Sequence, residues 1–190
     1  MSLSFSKDIL HKPVVDAEGK RRGVVLDLVV TLEERPPRIL HLLVGSPLRG
    51  TTFALALPWR QVAAIEARAV RLHDLDGACP AALVPMEVLL KRDILDQQIV
   101  DKEGYKYLRV NDITLLEETE TLTVQGVETG LQGFLLRLGS WRRLPALFRL
   151  LGLAPVSHLI GWEWIAGVDR QHHYVRLLVS RHELTQSLSA

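Results

Sequence analysis

The sequence predicts a mainly β protein built from two small tandem domains related by duplication, with a helical insertion in the second. Three observations carry this reading. An internal repeat runs through the chain at a fixed offset. Each copy opens with short β-branched segments separated by Asp/Gly turns. One stretch of the second half is basic and amphipathic and has no counterpart in the first.

The repeat comes first, because self-similarity at a fixed period governs how every local signal is read. Asp8-Ile9-Leu10 returns as Asp93-Ile94-Leu95, an offset of 85 residues. Val15-Asp16, Glu18-Gly19, Val25 and Asp27 return at that same offset as Val100-Asp101, Glu103-Gly104, Val110 and Asp112. A period this long suits a small domain rather than a solenoid unit. Near the end of each half, Trp59 corresponds to Trp162, an offset of 103, so the second copy carries about 18 additional residues. The domains are accordingly placed at residues 1–86 and 87–184, with 185–190 as a tail. Each half is close to the size at which one core becomes marginal, so packing of one half on the other, or a homodimer, would add burial.

Within each copy, 13–15 and 98–100 read as short strands. Asp16-Ala17-Glu18-Gly19 and Asp101-Lys102-Glu103-Gly104 follow as turns, with Gly19 and Gly104 available for positive φ. The second hairpin arms are 23–30 and 107–115, and the latter alternates as a half-buried strand should. Residues 33–37 read as a turn, 38–44 and 51–57 as strands, 58–62 as a one-turn helix, and 63–72 as further short strands. The insertion falls within residues 130–157. Leu144, Leu147, Phe148 and Leu151 share one helical face there, with Ser140 as N-cap and Gly152 as C′ residue. The end of the chain reads as a helix opening at Ser180.

Composition excludes several classes. Hydrophobic residues make up 47% of the chain, enough for a core. Basic and acidic residues number 23 and 22, which argues against DNA and RNA as partners. A single cysteine, Cys79, cannot form an intrachain disulfide; it fits a reducing compartment and reads as a small residue in a connection. Lys7 and Asp8 interrupt any leader-like apolar run, and no stretch of about 18 apolar residues exists. The expectation is a cytoplasmic protein, placed at the inner face of the membrane if it serves a membrane system.

The duplicated hairpin and the Trp-containing return strand resemble the PRC-barrel family, small β-barrels found in a photosynthetic reaction-centre subunit and a ribosome maturation factor. The residues concerned are Asp8-Ile9-Leu10, Asp16-x-Glu18-Gly19, Gly23-Val24-Val25-x-Asp27-Leu28 and Leu57-Pro58-Trp59-Arg60-Gln61-Val62. The resemblance implies two tandem small PRC-type β-barrels. The tandem form, with Leu159-Ile160-Gly161-Trp162-Glu163 and Val175-Arg176-Leu177 closing the second copy, is similar to the cytosolic region of MgtE-type magnesium transporters. Members of that group carry a segment like Gly130-Leu131-x-Gly133 through Gly139. The chain departs from the transporter pattern after Leu184, where the His-Pro-Ala-Asp-type opening of a following domain is missing.

The residues that could carry chemistry favour structural roles. Asp16, Glu18, Asp101 and Glu103 could form acidic loops for a divalent ion, but each loop supplies only two carboxylates where hard cations want several oxygens. Turn chemistry explains them, and Asp8, Asp93, Asp27 and Asp112 read as caps or backbone-bonding residues at strand ends. His172 and His173, with His182 and Glu183, invite a metal reading; adjacent histidines on a strand point to opposite faces, and no metal-ligand spacing is present. No nucleophile, phosphate loop or cofactor motif is found, so neither a cofactor nor an enzymatic activity is expected. Trp59 and Trp162 read as core plugs whose indole N–H needs a partner.

The insertion remains as the distinguishing feature. Phe134, Arg137, Trp141, Arg142, Arg143, Leu144, Leu147, Phe148, Arg149 and Leu151 combine four arginines with an oily face, and no acid lies between Glu128 and Glu163. As a plain amphipathic helix it would cover a domain; as a docking element it would contact another protein, the cytosolic part of a transporter, or an anionic membrane surface with its arginines snorkelling. The expected function is a non-catalytic interaction or regulatory module associated with magnesium transport. An RNA or ribosome-assembly adaptor and a divalent-ion sensor stand as alternatives.

Overall fold

The fold comes from a computed structural model, which describes residues 1–45, 55–76, 78–80, 87–119, 121–129 and 158–180. Strand β1 (Ser2–Ser4) leads into a short helix α1 (Phe5–Asp8). Then follow β2 (Pro13–Val15), β3 (Arg21–Thr31), β4 (Ile39–Gly45), β5 (Leu55–Pro58), a 3-10 turn at Trp59–Gln61, β6 (Val62–Ile65), β7 (Val70–Leu72) and β8 (Cys79–Pro80). The second half begins with β9 (Glu87–Leu89) and a π-helical turn at Leu90–Ile94. It continues as β10 (Gln98–Val100), β11 (Lys106–Glu117), β12 (Leu122–Thr129), β13 (His158–Gly161), a 3-10 turn at Trp162–Trp164, β14 (Ile165–Asp169) and β15 (Tyr174–Leu177). The protein is mainly β, with two sheets ordered β6-β7-β2-β3-β4-β5-β8 and β13-β12-β11-β10-β15-β14.

Positions that share the 85-residue offset also share backbone geometry. His11 and Asp96 both adopt a φ of 65°, and their N–H groups donate to Val25 and Val110 at 3.0 and 2.9 Å. Gly19 and Gly104 close the hairpin turns with φ of 79° and 91°. Val14 pairs with Gly23 and Ile99 with Leu108, and each hairpin shifts register one residue later. β2 runs parallel to β7, and β10 runs parallel to β15. The bulge between Val62 and Ala64 on β6 recurs between Ile165 and Gly167 on β14.

The leading strands behave less locally. β9, which opens the second repeat, pairs antiparallel with β3 of the first: Val29 with Leu89, Val30 with Val88, Thr31 with Glu87. β1, which opens the first repeat, pairs with β11 of the second: Ser4 with Thr114, Leu3 with Leu115, Ser2 with Leu116. The two registers are equivalent under the 85-residue offset. Each repeat therefore lends its opening strand to the other's long strand. The chain divides into two compact units, Met1–Asp93 with Thr114–Gln125, and Ile94–Ile113 with Gly126–Ala190, so β11 and β12 contribute to both.

This arrangement explains the length and composition of β3. Seven of its eleven residues are buried, including the consecutive run 27–31. A strand covered on one face alternates; a strand covered on both reads as a continuous apolar run. Val29 packs with Leu43, Ala56 and Leu89, and the last of these arrives with β9. In the second unit Ile99, Val110, Val127, Ile160, Ile165, Val175 and Leu177 are all buried.

Several elements differ in detail from the sequence reading. The described part of the fourth strand begins at Leu55, and residues 51–54 lie outside the described residues. Cys79 sits in β8, paired with Ala56 across the sheet; the residue is exposed, its thiol donates to the Ala56 carbonyl at 3.8 Å, and the backbone ladder, not a loop, places it. His172 and His173 lie in the turn between β14 and β15, not on a strand, so strand alternation does not determine where their rings point.

Replacing Val88 with Asp puts a charge where Val88 is 2% exposed, on the strand that completes β3. The expected result in urea unfolding is a loss of about 3 kcal/mol or more. Hydrogen exchange should accelerate at residues 29–31 as their partner strand detaches.

Candidate functional site

The repeat aspartates form one system. Asp8 accepts the Ser4 N–H and Asp93 accepts the Leu89 N–H, both at 2.8 Å. Each thus ties its own leading strand to the helical turn that follows. Asp93 is also gripped by the Arg92 guanidinium, at 2.7 and 2.8 Å. Asp27 and Asp112 each accept the N–H of the next residue at 2.8 Å. Asp27 does more: it takes the N–H groups of Lys91 at 2.7 Å and Arg92 at 3.2 Å, at the start of the second repeat's π-helical turn. Asp27 and Asp112 were expected at strand ends; they lie inside β3 and β11, because their task is to hold backbone N–H groups, not to end a strand.

Asp27 is buried, and burial sets its protonation. Withdrawal from water outweighs the N–H groups of Lys91, Leu28 and Arg92 and the nearby Lys91 charge, and pushes the carboxyl up to about 6. His11, near Lys91, is held below its ordinary value by burial and by that same ammonium.

The turn carboxylates divide into two roles. Asp16 and Asp101 are buried and bind their own turns: Asp16 accepts Lys20 N–H at 2.7 Å, and Asp101 accepts Glu103 and Tyr105 N–H at 3.0 and 2.9 Å. Glu18 and Glu103 are exposed. In the first repeat Arg22 adds an ion pair to Asp16 at 2.6 Å. Burial raises the Asp16 carboxyl, but the Lys20 N–H and Arg22 outweigh it and hold it below the usual value. Among the described residues no group of three or more His, Cys, Asp and Glu could hold a metal ion.

The two tryptophan positions differ in depth. Trp162 is buried and Trp59 is half-buried, each opening a 3-10 turn that precedes the bulged strand.

The repeats diverge most clearly at the turn before the last strand. In the first repeat Arg71 is held bidentately by Glu66, at 2.6 and 3.4 Å. In the second the turn is two residues longer. Asp169 folds back to accept the N–H of Gln171 at 3.0 Å and of His172 at 2.9 Å, and its carboxylate faces the His172 ring at 3.1 Å. The His172 N–H is the main reason its carboxyl falls to about 2, against the opposing effect of burial. Arg176, the counterpart of Arg71, instead lies 5.6 Å over the Tyr174 ring and donates to its hydroxyl at 2.9 Å. The histidine reading passed over this cluster. The available signal was the offset, which grows from 103 at Glu66/Asp169 to 105 at Arg71/Arg176.

The expected docking residues, Phe134, Arg137, Trp141, Arg142, Arg143, Leu144, Leu147, Phe148, Arg149 and Leu151, lie outside the described residues, as do His182 and Glu183. Among the described residues no helix is long and apolar enough to cross a membrane.

Residues 1–77 match the PRC-barrel domain family. No curated protein matches the chain.

Two outcomes follow from this geometry. The folded Asp27 carboxyl titrates above the unfolded one, so the stability it brings is present below 3.8 and is lost as pH rises through about 6. Between about pH 4 and pH 7 the wild type should lose about 2 kcal/mol relative to Asp27→Asn, read as the difference between their urea midpoints at each pH. Gly19→Ala and Gly104→Ala meet no atom within 4 Å, so only the left-handed backbone opposes them; each should cost about 1 kcal/mol in thermal unfolding.

Proposed function

We propose that the chain is a duplicated pair of closed PRC-type β-barrels acting as a non-catalytic interaction and regulatory module. Its place is the cytosolic side of a membrane transport system of the MgtE-type magnesium-transporter kind. The family match over residues 1–77 supports the barrel reading for the first half. The shared register, bulges and φ angles at offset positions support duplication.

The observation that carries the function is asymmetry. The repeats keep a common scaffold of strands, turns and buried aspartates, and the second alone adds the arginine-rich, oily residues of 130–157. A rigid scaffold that varies in one appended segment is the ordinary way to build a binding surface. In this reading Trp141, Leu144 and Phe148 supply apolar contact, and Arg137, Arg142, Arg143 and Arg149 meet an anionic surface at the inner leaflet.

The test replaces Trp141, Leu144 and Phe148 by Ser in the full chain. Co-sedimentation with vesicles rich in anionic phospholipid should fall at least fivefold while thermal stability is retained. Unchanged sedimentation would end the docking proposal. So would a stability loss of about 3 kcal/mol or more with association intact, which would assign these side chains to a core.

A further inference from the structure

The turn that separates β14 from β15 changes what an equivalent arginine is offered. In the first repeat the guanidinium of Arg71 is filled by the Glu66 carboxylate across a short turn, in the two-point geometry that carboxylates and guanidinium groups share. In the second, the two extra residues turn the Asp169 oxygens to the backbone of Gln171 and His172, the His172 ring and the Tyr174 hydroxyl. Arg176 keeps the same place in the ladder: it lies beside Val100 as Arg71 lies beside Val15. Among the described residues it has no carboxylate within ion-pair reach, and its side chain is exposed.

The guanidinium is nonetheless held. Tyr174 supports it from beneath and accepts a hydrogen bond from Nη2, which leaves Nη1 and Nε for another partner. His172 stacks against the same ring, with centroids 6.1 Å apart and planes 24° from parallel. Asp169, paired with Tyr174 across the ladder, also takes the Tyr174 hydroxyl, so it braces that ring and reaches Arg176 only through the hydroxyl, not by an ion pair of its own. The lateral row continues through Gln98 to Arg109, both exposed, so the outer face of this sheet presents donors and a second cation.

We propose that Arg176, braced by Tyr174, receives in trans the carboxylate that Arg71 receives in cis, from a Glu or Asp side chain of a partner protein. The first repeat supplies the template that favours a carboxylate: the same fold position is already filled by one. This rests on the interaction reading above, since a carboxylate in trans needs a partner, but it concerns a different surface from residues 130–157.

The experiment uses the full chain with labelled arginine Nε–H and backbone amides, titrated with an oligo-glutamate peptide. Oligo-glutamine, inorganic phosphate and a short poly-uridylate serve as comparisons. The expected result is a saturable shift at Arg176 Nε–H and at the amides of residues 172–176 with oligo-glutamate alone. Arg176→Gln should weaken this by about threefold or more, the scale of one exposed ion pair, whereas Arg71→Gln should leave it unchanged. Tyr174→Phe, which keeps the ring and removes the hydroxyl, should give an intermediate loss. No saturable shift at Arg176, an equal response to phosphate or poly-uridylate, or undiminished affinity in Arg176→Gln would each overturn the proposal. The Trp141/Leu144/Phe148 serine variant separates the two readings. Loss of vesicle association with peptide binding kept supports both, and vesicle association that survives while the Arg176 response also survives removes only the docking segment.

Discussion

The constraint on which the described structure depends is the reciprocal loan of two three-residue strands. β9 lies on β3 and β1 lies on β11, in registers that coincide under the repeat offset. Strands this short contribute few ladder bonds, so something else must fix them. Aspartates do so, half-buried at Asp8 and buried at Asp93 and Asp27. Asp93 and Asp8 fasten each strand to the turn behind it, and Asp27 reaches from β3 to the first N–H groups of the second repeat's turn. A carboxylate withdrawn from water is costly unless donors surround it, and backbone N–H groups at the start of a helical turn are donors without intrahelical partners. The N–H groups offset part of that cost, although at Asp27 burial still prevails.

From that constraint follows the division of labour between the repeats. β3 carries a strand from the second half of the sequence, and β11 one from the first. Asp8 and Asp27, which hold this arrangement, keep their identity at 93 and 112. Positions released from it have diverged: Arg22, which pairs with Asp16, has Tyr107 as its counterpart, and Glu66-to-Arg71 has become a longer turn in which Asp169 serves the backbone and Arg176 rests on an aromatic ring. The repeats thus share a scaffold and differ at outer residues.

Local signals in the chain read well wherever their cause is local. Asp16-to-Gly19 and Asp101-to-Gly104 announce turns because Asp accepts nearby N–H groups and Gly tolerates positive φ, and both do so here. The one-turn helix at Trp59 is likewise a matter of neighbouring residues, whereas the alternation of 107–115 misleads, since Asp112, Ile113, Thr114 and Leu115 are buried in succession. Asp27 was less legible. Its side-chain type implied backbone bonding, but an aspartate in the middle of an apolar strand has no local reason to be there; its partners lie 64 and 65 residues away. The histidine pair failed for the opposite reason. Adjacent side chains alternate only on a strand, and the two extra residues take this pair off the strand and into a turn.

The sequence alone determined the β class, the repeat and its offset, the hairpin turns, and the identity of the positions that both halves share, because each of these is written in composition or in spacing. Tertiary structure alone decided which strand each opening segment joins, why Asp27 is buried, and that Arg176 rests on Tyr174 where Arg71 pairs with Glu66. Those outcomes depend on contacts between residues far apart in the chain, and pairing partners at that distance leave no periodic mark on the residues between them.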